Sequence, residues 1–507
     1  MLAKVWSAAV CGIEGIAVSV ELDLCGGLPH FMTVGLPDSA VRESRERVAS
    51  AIRNSGYDFP CRRITVNLAP AELRKRGTQF DLPVALGLLA ASGQLKEGEW
   101  VGRYCFLGEL ALDGRVKPVS GVLPMVASAK DHGMAGVVLP RVNAPEAAMV
   151  GIASYGITSL QEAIGFVTGQ LPLDPAVASG YASPRLEEDI SDVKGQSLAK
   201  RALEIAAAGG HHMLMVGPPG AGKSMLARRL PGLLPPLDRS EALEIAKILS
   251  VSGSLPCGEW ALARPFRSPH HTIPPAALIG GGSPCRPGEV SLAHGGVLFL
   301  DELAEFKREN LEALRVPLET RLSVISRLRE SVEYPASFQL VAAMNPCPCG
   351  WRGHPRRTCT CSPAQQLRYR SRLSGPLLDR IDIQVETAHL TFSEWNGPSQ
   401  PSESSSHVRE RVSCARKLQK ERFAIGSART NAEMSPALLR LHGRLRADAT
   451  SVLESAAERF TLSARSLDRV LRVARTIADI EVCVDVGKRH ILEALMLSGR
   501  ESGRPGG

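Results

Sequence analysis

Four short stretches carry residue types suited to chemistry on a nucleoside triphosphate. The first, Gly217-Pro218-Pro219-Gly220-Ala221-Gly222-Lys223-Ser224, matches G-x-x-x-x-G-K-[ST] without a substitution. Its glycines let backbone N–H groups curl around a polyphosphate, and the N-terminus of the helix that follows would add its positive dipole end. All eight residues are candidate ATP contacts; Lys223 would reach the β- and γ-phosphates and Ser224 would hold Mg²⁺. The second stretch, Gly295–Glu302, is an apolar run ending in two carboxylates. Asp301 would join Ser224 at the metal, and Glu302 would polarise the attacking water. In the third, Phe338–Pro346, Asn345 is the candidate partner of the γ-phosphate or of that water. The fourth, Ser374–Asp382, offers Arg380. An arginine presented across a subunit boundary stabilises transition-state charge by about 10³–10⁵ in rate. Each stretch has a plainer alternative: a glycine-rich turn, surface acids after a buried strand, an Asn-Pro strand end, or a salt bridge from Arg380 to Asp379 or Asp382.

These side chains need rigid elements to hold them. Met213–Val216 leads into the glycine loop and reads as a buried strand; Met225–Leu230 leads out and reads as a helix. The carboxylate and asparagine stretches are also strand-like. Strands alternating with helices over residues 189–390 predict an α/β module, a parallel sheet with helices on both faces. Residues 1–170 mix strand-like runs such as Ile64–Leu68 with Ala-rich helical runs such as Val84–Ala91. Residues 407–500 show helical spacing (Leu467, Val470, Leu471, Ala474) and read as a small helical bundle. Two Pro/Ser/Gly-rich linkers, 171–188 and 391–406, separate the three segments.

Cys347, Cys349, Cys359 and Cys361 form C-x-C-x₉-C-x-C. Four thiolates could close a structural Zn²⁺ site, with His354 as a substitute ligand. Free thiols and a redox role are the alternatives. The cluster falls between Asn345 and Arg380, where a metal clip would stiffen the path from nucleotide to neighbouring subunit.

The chain has 507 residues, 44% hydrophobic and 22% charged. No apolar stretch is long enough to span a bilayer and no signal peptide is visible, so the expectation is a cytoplasmic protein with reduced cysteines. Between His407 and Arg475 lie 15 Lys and Arg against 7 Asp and Glu, a surplus equal to the net +8 of the whole chain. A basic face of that kind suits nucleic acid; a solvated helical face is the equal alternative.

The order of these motifs resembles the AAA+ superfamily, and Ala277–Gly282, Pro287-Gly288-Glu289 and Ala293–Glu302 are similar to the magnesium-chelatase ATPase subunit. That resemblance implies a helix-2 insertion at 264–287, a hairpin at 322–332, and a sensor arginine in the lid helix, Arg465 of Ser463–Asp468. It also implies a hexameric ring with Arg380 acting on the neighbour and Arg465 on its own subunit's nucleotide. Lys75-Arg76-Gly77, Phe80–Pro83, Leu107–Val116 and Val137–Pro140 resemble the Lon protease C-terminal domain and its RadA counterpart, an α+β fold of the ribosomal S5 domain 2 type. The Ser–Lys dyad of Lon has no match: Thr78–Asp81 replaces the serine region and Ser120–Met125 lacks the lysine, which points to a scaffold or DNA-facing collar.

A Lon-like domain before a chelatase-like module is the arrangement of the YifB/ComM family. The resemblance covers nearly the whole chain and implies an ATP-driven hexameric helicase for branch migration in homologous recombination or natural transformation. DNA, single-stranded or branched, would be the partner, with recombination proteins possible company. The pore candidates are Arg327 and Arg329 in the hairpin, then Arg264, Arg267, His270 and His271 in the insertion. A chelatase- or MoxR-like remodeller of a protein partner is the alternative.

Overall fold

The computed structural model describes residues 2–96, 98, 100–178, 188–255, 263–283, 285–327, 330–354, 356–389, 403–423 and 428–499, with the side chains of Arg327 and Glu330 left out. Residues 1–170 build a seven-stranded mixed sheet, ordered His30–Val34, Arg63–Ala69, Glu14–Cys25, Leu2–Cys11, Tyr104–Phe106, Gly136–Pro140, Ala153–Ile157. The two longest strands form an antiparallel hairpin from Leu2↔Asp23 to Cys11↔Glu14. Every residue of the helix Asp81–Ala91 is buried, which is why this stretch is apolar all round. Gly87 of that helix allows close packing: a Cβ there would lie 2.2 Å from Leu22 Cδ1.

The middle segment is a five-stranded, wholly parallel sheet, ordered Phe266–Arg267, Val297–Leu300, Gln339–Met344, Met213–Val216, Ile383–Glu386. Two of the three inner strands, Val297–Leu300 and Gln339–Met344, are buried at every residue, the signature of a sheet covered on both faces. The middle segment is thus α/β, as the strand–helix alternation predicts.

The C-terminal helices Ser405–Arg422, Pro436–His442, Ala447–Phe460, Ala464–Ile480 and Lys488–Met496 do not stand apart as a separate bundle. Val408, Val412, Val470 and Ile477 share one core with Ala202, Ile205 and Met215 of the middle segment. Val470 and Ala474 are buried and Leu467 and Leu471 pack partly buried beside that shared core, as their spacing predicts. The first lid helix begins at Ser405, inside the stretch read as linker. Asp189 is the cause: its carboxylate accepts from Ser405 N at 3.0 and 3.1 Å, and Ser405 Oγ accepts from Ile190 N at 2.8 Å.

The N-terminal domain is docked on the helix Arg239–Ser252. Leu123, Val126 and Met149 share a cluster with Leu237, Ile245 and Ala246. Ser250 sits at the seam: its carbonyl accepts from Gly121 N at 3.1 Å, and its hydroxyl donates to Glu146 Oε1 at 2.5 Å. Among the described residues, no helix is long and apolar enough to cross a membrane.

Candidate nucleotide site

Because the middle sheet is parallel, the strands open on one common edge at their C-terminal ends, where α/β folds bind ligands. Val216 pairs with Met344, and Leu300 with Ala342, so Gly217, Asp301 and Asn345 emerge side by side. Lys223 is 8% exposed, and its ammonium donates to Gly217 O (2.7 Å), Pro218 O (3.0 Å) and Asn345 Oδ1 (3.3 Å). Burial lowers its pKa, opposed by the charges of Asp301 and Glu302. Ser224 Oγ donates to Asp301 Oδ2 at 2.7 Å. Glu302 sits just beyond the strand at φ 52°, its N–H donating to Asp301 Oδ1 at 2.9 Å. That left-handed turn leaves the Glu302 carboxylate 56% exposed, free to meet solvent.

The glycine loop is braced from behind. Thr387, which follows the edge strand, donates its N–H to Val216 O at 2.8 Å. A Cβ at Gly217 would lie 2.0 Å from Thr387 Oγ1 and 2.4 Å from Thr387 O, so glycine is required there by space. Gln196, at φ 54°, donates Nε2 to both Ala221 O (3.2 Å) and Ala388 O (2.6 Å). Sequence patterning passed over Gln196 and Thr387; the Gly195-Gln196 turn ahead of a helix was the one available signal for the first.

The arrangement fits a magnesium nucleotide. Ser224 hydroxyl and Asp301 carboxylate are paired oxygen donors, the hard ligands Mg²⁺ takes. A Cβ at Gly220 or Gly222 would meet nothing within 4 Å, so the loop faces open space. Mg²⁺ bridging the phosphates would supply charge neutralisation there.

Arg380 and Arg465 lie elsewhere. Arg380 precedes Ile383–Glu386 and therefore lies off the N-terminal edge of the sheet, opposite the glycine loop. Its guanidinium holds Glu319 at 2.5 Å and Pro376 O at 2.7 Å; neither Asp379 nor Asp382 is its partner. Asp382 instead faces His211 Nδ1 at 2.9 Å. The Arg380 guanidinium, hydrogen-bonded to Glu319, holds that carboxyl below the usual range, with a smaller contribution from the charge of Arg465. One turn along, Arg469 donates to Leu378 O (3.1 Å) and Ile381 O (3.0 Å), pinning the lid helix beside Arg380. The structure thus groups Arg465 with Arg380 and not with its own subunit's glycine loop, where the family resemblance put it. The lid helix start is tied to the wrong edge of the sheet for that.

In the insertion, Arg264 is committed to Pro235 O, Gly295 O and Glu241, at 2.6, 2.7 and 3.0 Å. Arg267 makes a two-point pair with Glu289 at 2.6 and 2.8 Å. Both guanidiniums serve the fold, which removes the ground for reading them as pore residues. His271 lies 3.7 Å from Glu302 Oε2, with its ring against His270 and edge-on to Phe306. The expected hairpin is present: Leu322–Arg327 pairs antiparallel with Glu330–Pro335. Arg329 and the side chain of Arg327 lie outside the described residues. Its base is anchored by Ser323 Oγ to Ile279 O (2.6 Å), and Gly12 of the N-terminal hairpin packs against Glu333.

Much of the basic surplus of the lid is internal. Arg411 bridges Glu204 and Glu403, Arg422 and Arg475 share Asp479, and Arg416 donates twice to Ala207 O. Charge counting read these as a face; they tie the lid to the helix Ser197–Gly209 and to itself. In the N-terminal domain Thr78 Oγ1 donates to Glu109 at 2.5 Å, and Gln79 Nε2 to Arg76 O at 2.9 Å. The four cysteine sulfurs Cys347, Cys349, Cys359 and Cys361 converge within 4.8 Å of one another.

Three family profiles match the chain: "Magnesium chelatase, subunit ChlI" over residues 189–395, "Subunit ChlI of Mg-chelatase" over 20–143, and "Magnesium chelatase, subunit ChlI C-terminal" over 402–498. An uncharacterised protein of Mycobacterium tuberculosis (strain H37Rv) is 45% identical over 99% of both chains. The uncharacterised protein YifB of Escherichia coli K12 is 43% identical over 97% of this chain and 96% of its own. The competence protein ComM of Haemophilus influenzae is 43% identical over 97% of each. With identity at this level running from end to end, and with the chelatase profiles falling on all three segments, the chain belongs to the YifB/ComM family of magnesium-chelatase-like proteins.

Proposed function

We propose that this protein is an AAA+ ATPase that works as a ring, most simply a hexamer, and drives DNA strand movement such as branch migration in recombination or transformation. The observation that carries the ring is the separation of charges across the sheet. Lys223, Ser224, Asp301, Glu302 and Asn345 gather at one edge, while Arg380 and Arg465 gather round Glu319 at the other. A single chain therefore has the phosphate site, with Lys223 its cation, but not the arginines that would add to it in the transition state. A neighbour that turns its Arg edge to this phosphate edge completes it. In that site Glu302 takes the proton of the attacking water, Asn345 and Lys223 orient the γ-phosphate, and the neighbour's arginines meet the charge that develops.

The case for DNA rests on the likeness to ComM, whose name ties that protein to competence, and on the hairpin with Arg327 and Arg329. The N-terminal domain, of Lon-like α+β type by its motifs, contacts that hairpin through Gly12 and would act as a collar on the DNA path. Remodelling of a protein partner is the second reading, favoured by the chelatase likeness of the module. One experiment separates them: ATP turnover with and without single-stranded or forked DNA at two salt concentrations. Turnover stimulated by DNA and weakened by salt is expected; turnover indifferent to every DNA sinks the motor reading. Loss of DNA stimulation in Arg327→Ala/Arg329→Ala, with basal turnover kept, would assign the hairpin.

A further inference from the structure

We infer that Cys347, Cys349, Cys359 and Cys361 form a mononuclear tetrathiolate zinc site that clamps the loop after Asn345 against the glycine loop. The inference stands independently of what the motor acts on. Cys347 and Cys349 lie three and five residues after the strand Gln339–Met344, and Cys359 and Cys361 lie four and two residues before the helix Pro363–Arg370. The chain leaves the sheet and returns to the start of a helix with no strand or helix between among the described residues. Cys347 is fully buried and the other three are half-buried.

The distances identify the occupant. Cys347 Sγ lies 3.4 Å from Cys349 Sγ and 3.6 Å from Cys359 Sγ, and Cys349 Sγ lies 3.6 Å from Cys359 Sγ. Thiolates about 2.3 Å from a central zinc stand about 3.8 Å apart at the corners of a tetrahedron. Disulfides are excluded, since their sulfurs would be about 2.05 Å apart. A two- or four-iron core would force the sulfurs further from one another than a single ion does. All-thiolate tetrahedral ligation selects zinc among the common divalent ions. His354 is not part of the cluster: the four sulfurs converge without it, and its Nδ1 accepts from Arg356 N (3.1 Å) and Arg357 N (3.0 Å).

Supporting bonds fix the sulfurs. Cys349 N donates to Cys361 Sγ at 3.4 Å, and Gln366 Nε2 donates to Cys361 O (3.1 Å) and reaches Cys359 Sγ (3.8 Å). Such outer contacts orient ligands and are part of a metal site's design. The clamp meets the nucleotide loop at one point. Gly350, at φ 81°, lies so close to Pro219 that a Cβ would be 2.6 Å from Pro219 Cδ. Holding Gly350 in place therefore holds Pro219 and, two residues before the first cysteine, Asn345.

Metal analysis of the purified full chain is expected to give about one zinc per chain. Titration with an organomercurial should release it as the four thiols react. Cys359→Ser/Cys361→Ser should lose the zinc and slow ATP turnover by up to about 10²-fold, the scale of a misplaced catalytic group. This variant also assigns the ion, because Glu481, Cys483 and His490 converge elsewhere, where Arg201 and Arg489 already pair with Glu481. Should the variant not fold, the wild-type chain stripped by chelator and refilled with Co²⁺ is expected to show the absorption of tetrahedral cobalt–thiolate. Zinc-free protein with all four thiols freely titratable, iron in place of zinc, zinc retained by the variant, or an octahedral cobalt spectrum each overturn the site. Zinc removal without effect on nucleotide affinity or turnover overturns the clamp.

Discussion

Lys223 and Glu302 differ in what their loss should do. Lys223 is buried and spends its ammonium on two carbonyls and Asn345, so Lys223→Ala removes both a phosphate cation and a loop brace. ATP turnover should fall by at least about 10³-fold, with weakened nucleotide binding, while circular dichroism shows an intact fold. The Glu302 carboxylate is exposed, with His271 3.7 Å away, so Glu302→Gln should keep nucleotide affinity and lose turnover by about 10²–10⁴-fold. A fluorescent nucleotide titration beside a phosphate-release assay separates the two. His212 gives a pH signature at the root of the glycine-loop strand. Its Nδ1 accepts from Leu340 N at 3.0 Å, and burial pushes its pKa down to about 4. Neutral His212 belongs to the fold, so its stabilisation is complete above the ordinary pKa of 6.5 and is lost as pH falls from 6.5 towards 4. Thermal melts across that window should show the loss, and His212→Gln, which keeps an acceptor and cannot be protonated, should flatten it.

Among the elements, the glycine loop is held by the strand end behind it. Gly217→Ala would drive a methyl into Thr387, whose backbone cannot move without breaking its bond to Val216. We expect a loss of about 1–3 kcal/mol and a lower melting temperature. The docking of the N-terminal domain depends on buried Ile245 and on Ser250. Ile245→Ala should cost about 2–5 kcal/mol and loosen that docking, seen as a lower melting temperature and faster limited proteolysis of the full chain. How far the sequence alone carried depends on how far apart the partners sit in the chain. The glycine loop, Asp301-Glu302 and Asn345 were legible because each is a local pattern on its own strand, and a parallel sheet must align such strand ends. Glu319 was not, since nothing local links it to Arg380, 61 residues on. His271 entered only as a candidate of the insertion; its place 3.7 Å from Glu302 is set by the sheet and has no local signal. The lid arginines misled for the same reason: Arg411, Arg422 and Arg475 meet their carboxylates through tertiary packing that counting charges cannot see.

For the whole molecule, the split between a phosphate edge and an arginine edge makes a prediction that no single-chain enzyme satisfies. Lys223→Ala and Arg380→Ala should each be inactive alone, yet mixing the two should restore part of the ATP turnover. An intact Lys223 then meets an intact Arg380 from the neighbouring copy; no recovery on mixing would place Arg380 in its own subunit's site. DNA affinity should fall steeply with salt and discriminate little among sequences, in line with contacts to phosphates and not to bases. Glu319 gives this assembly a further property. Its carboxylate already occupies Arg380 and lies within the field of Arg465, much as a phosphate would. In the proposed ring, docking to a loaded neighbour would exchange one anion on Arg380 for another, so Glu319 would keep the tie between subunits reversible; Glu319→Gln should leave subunits clinging to nucleotide-bearing neighbours and slow their release.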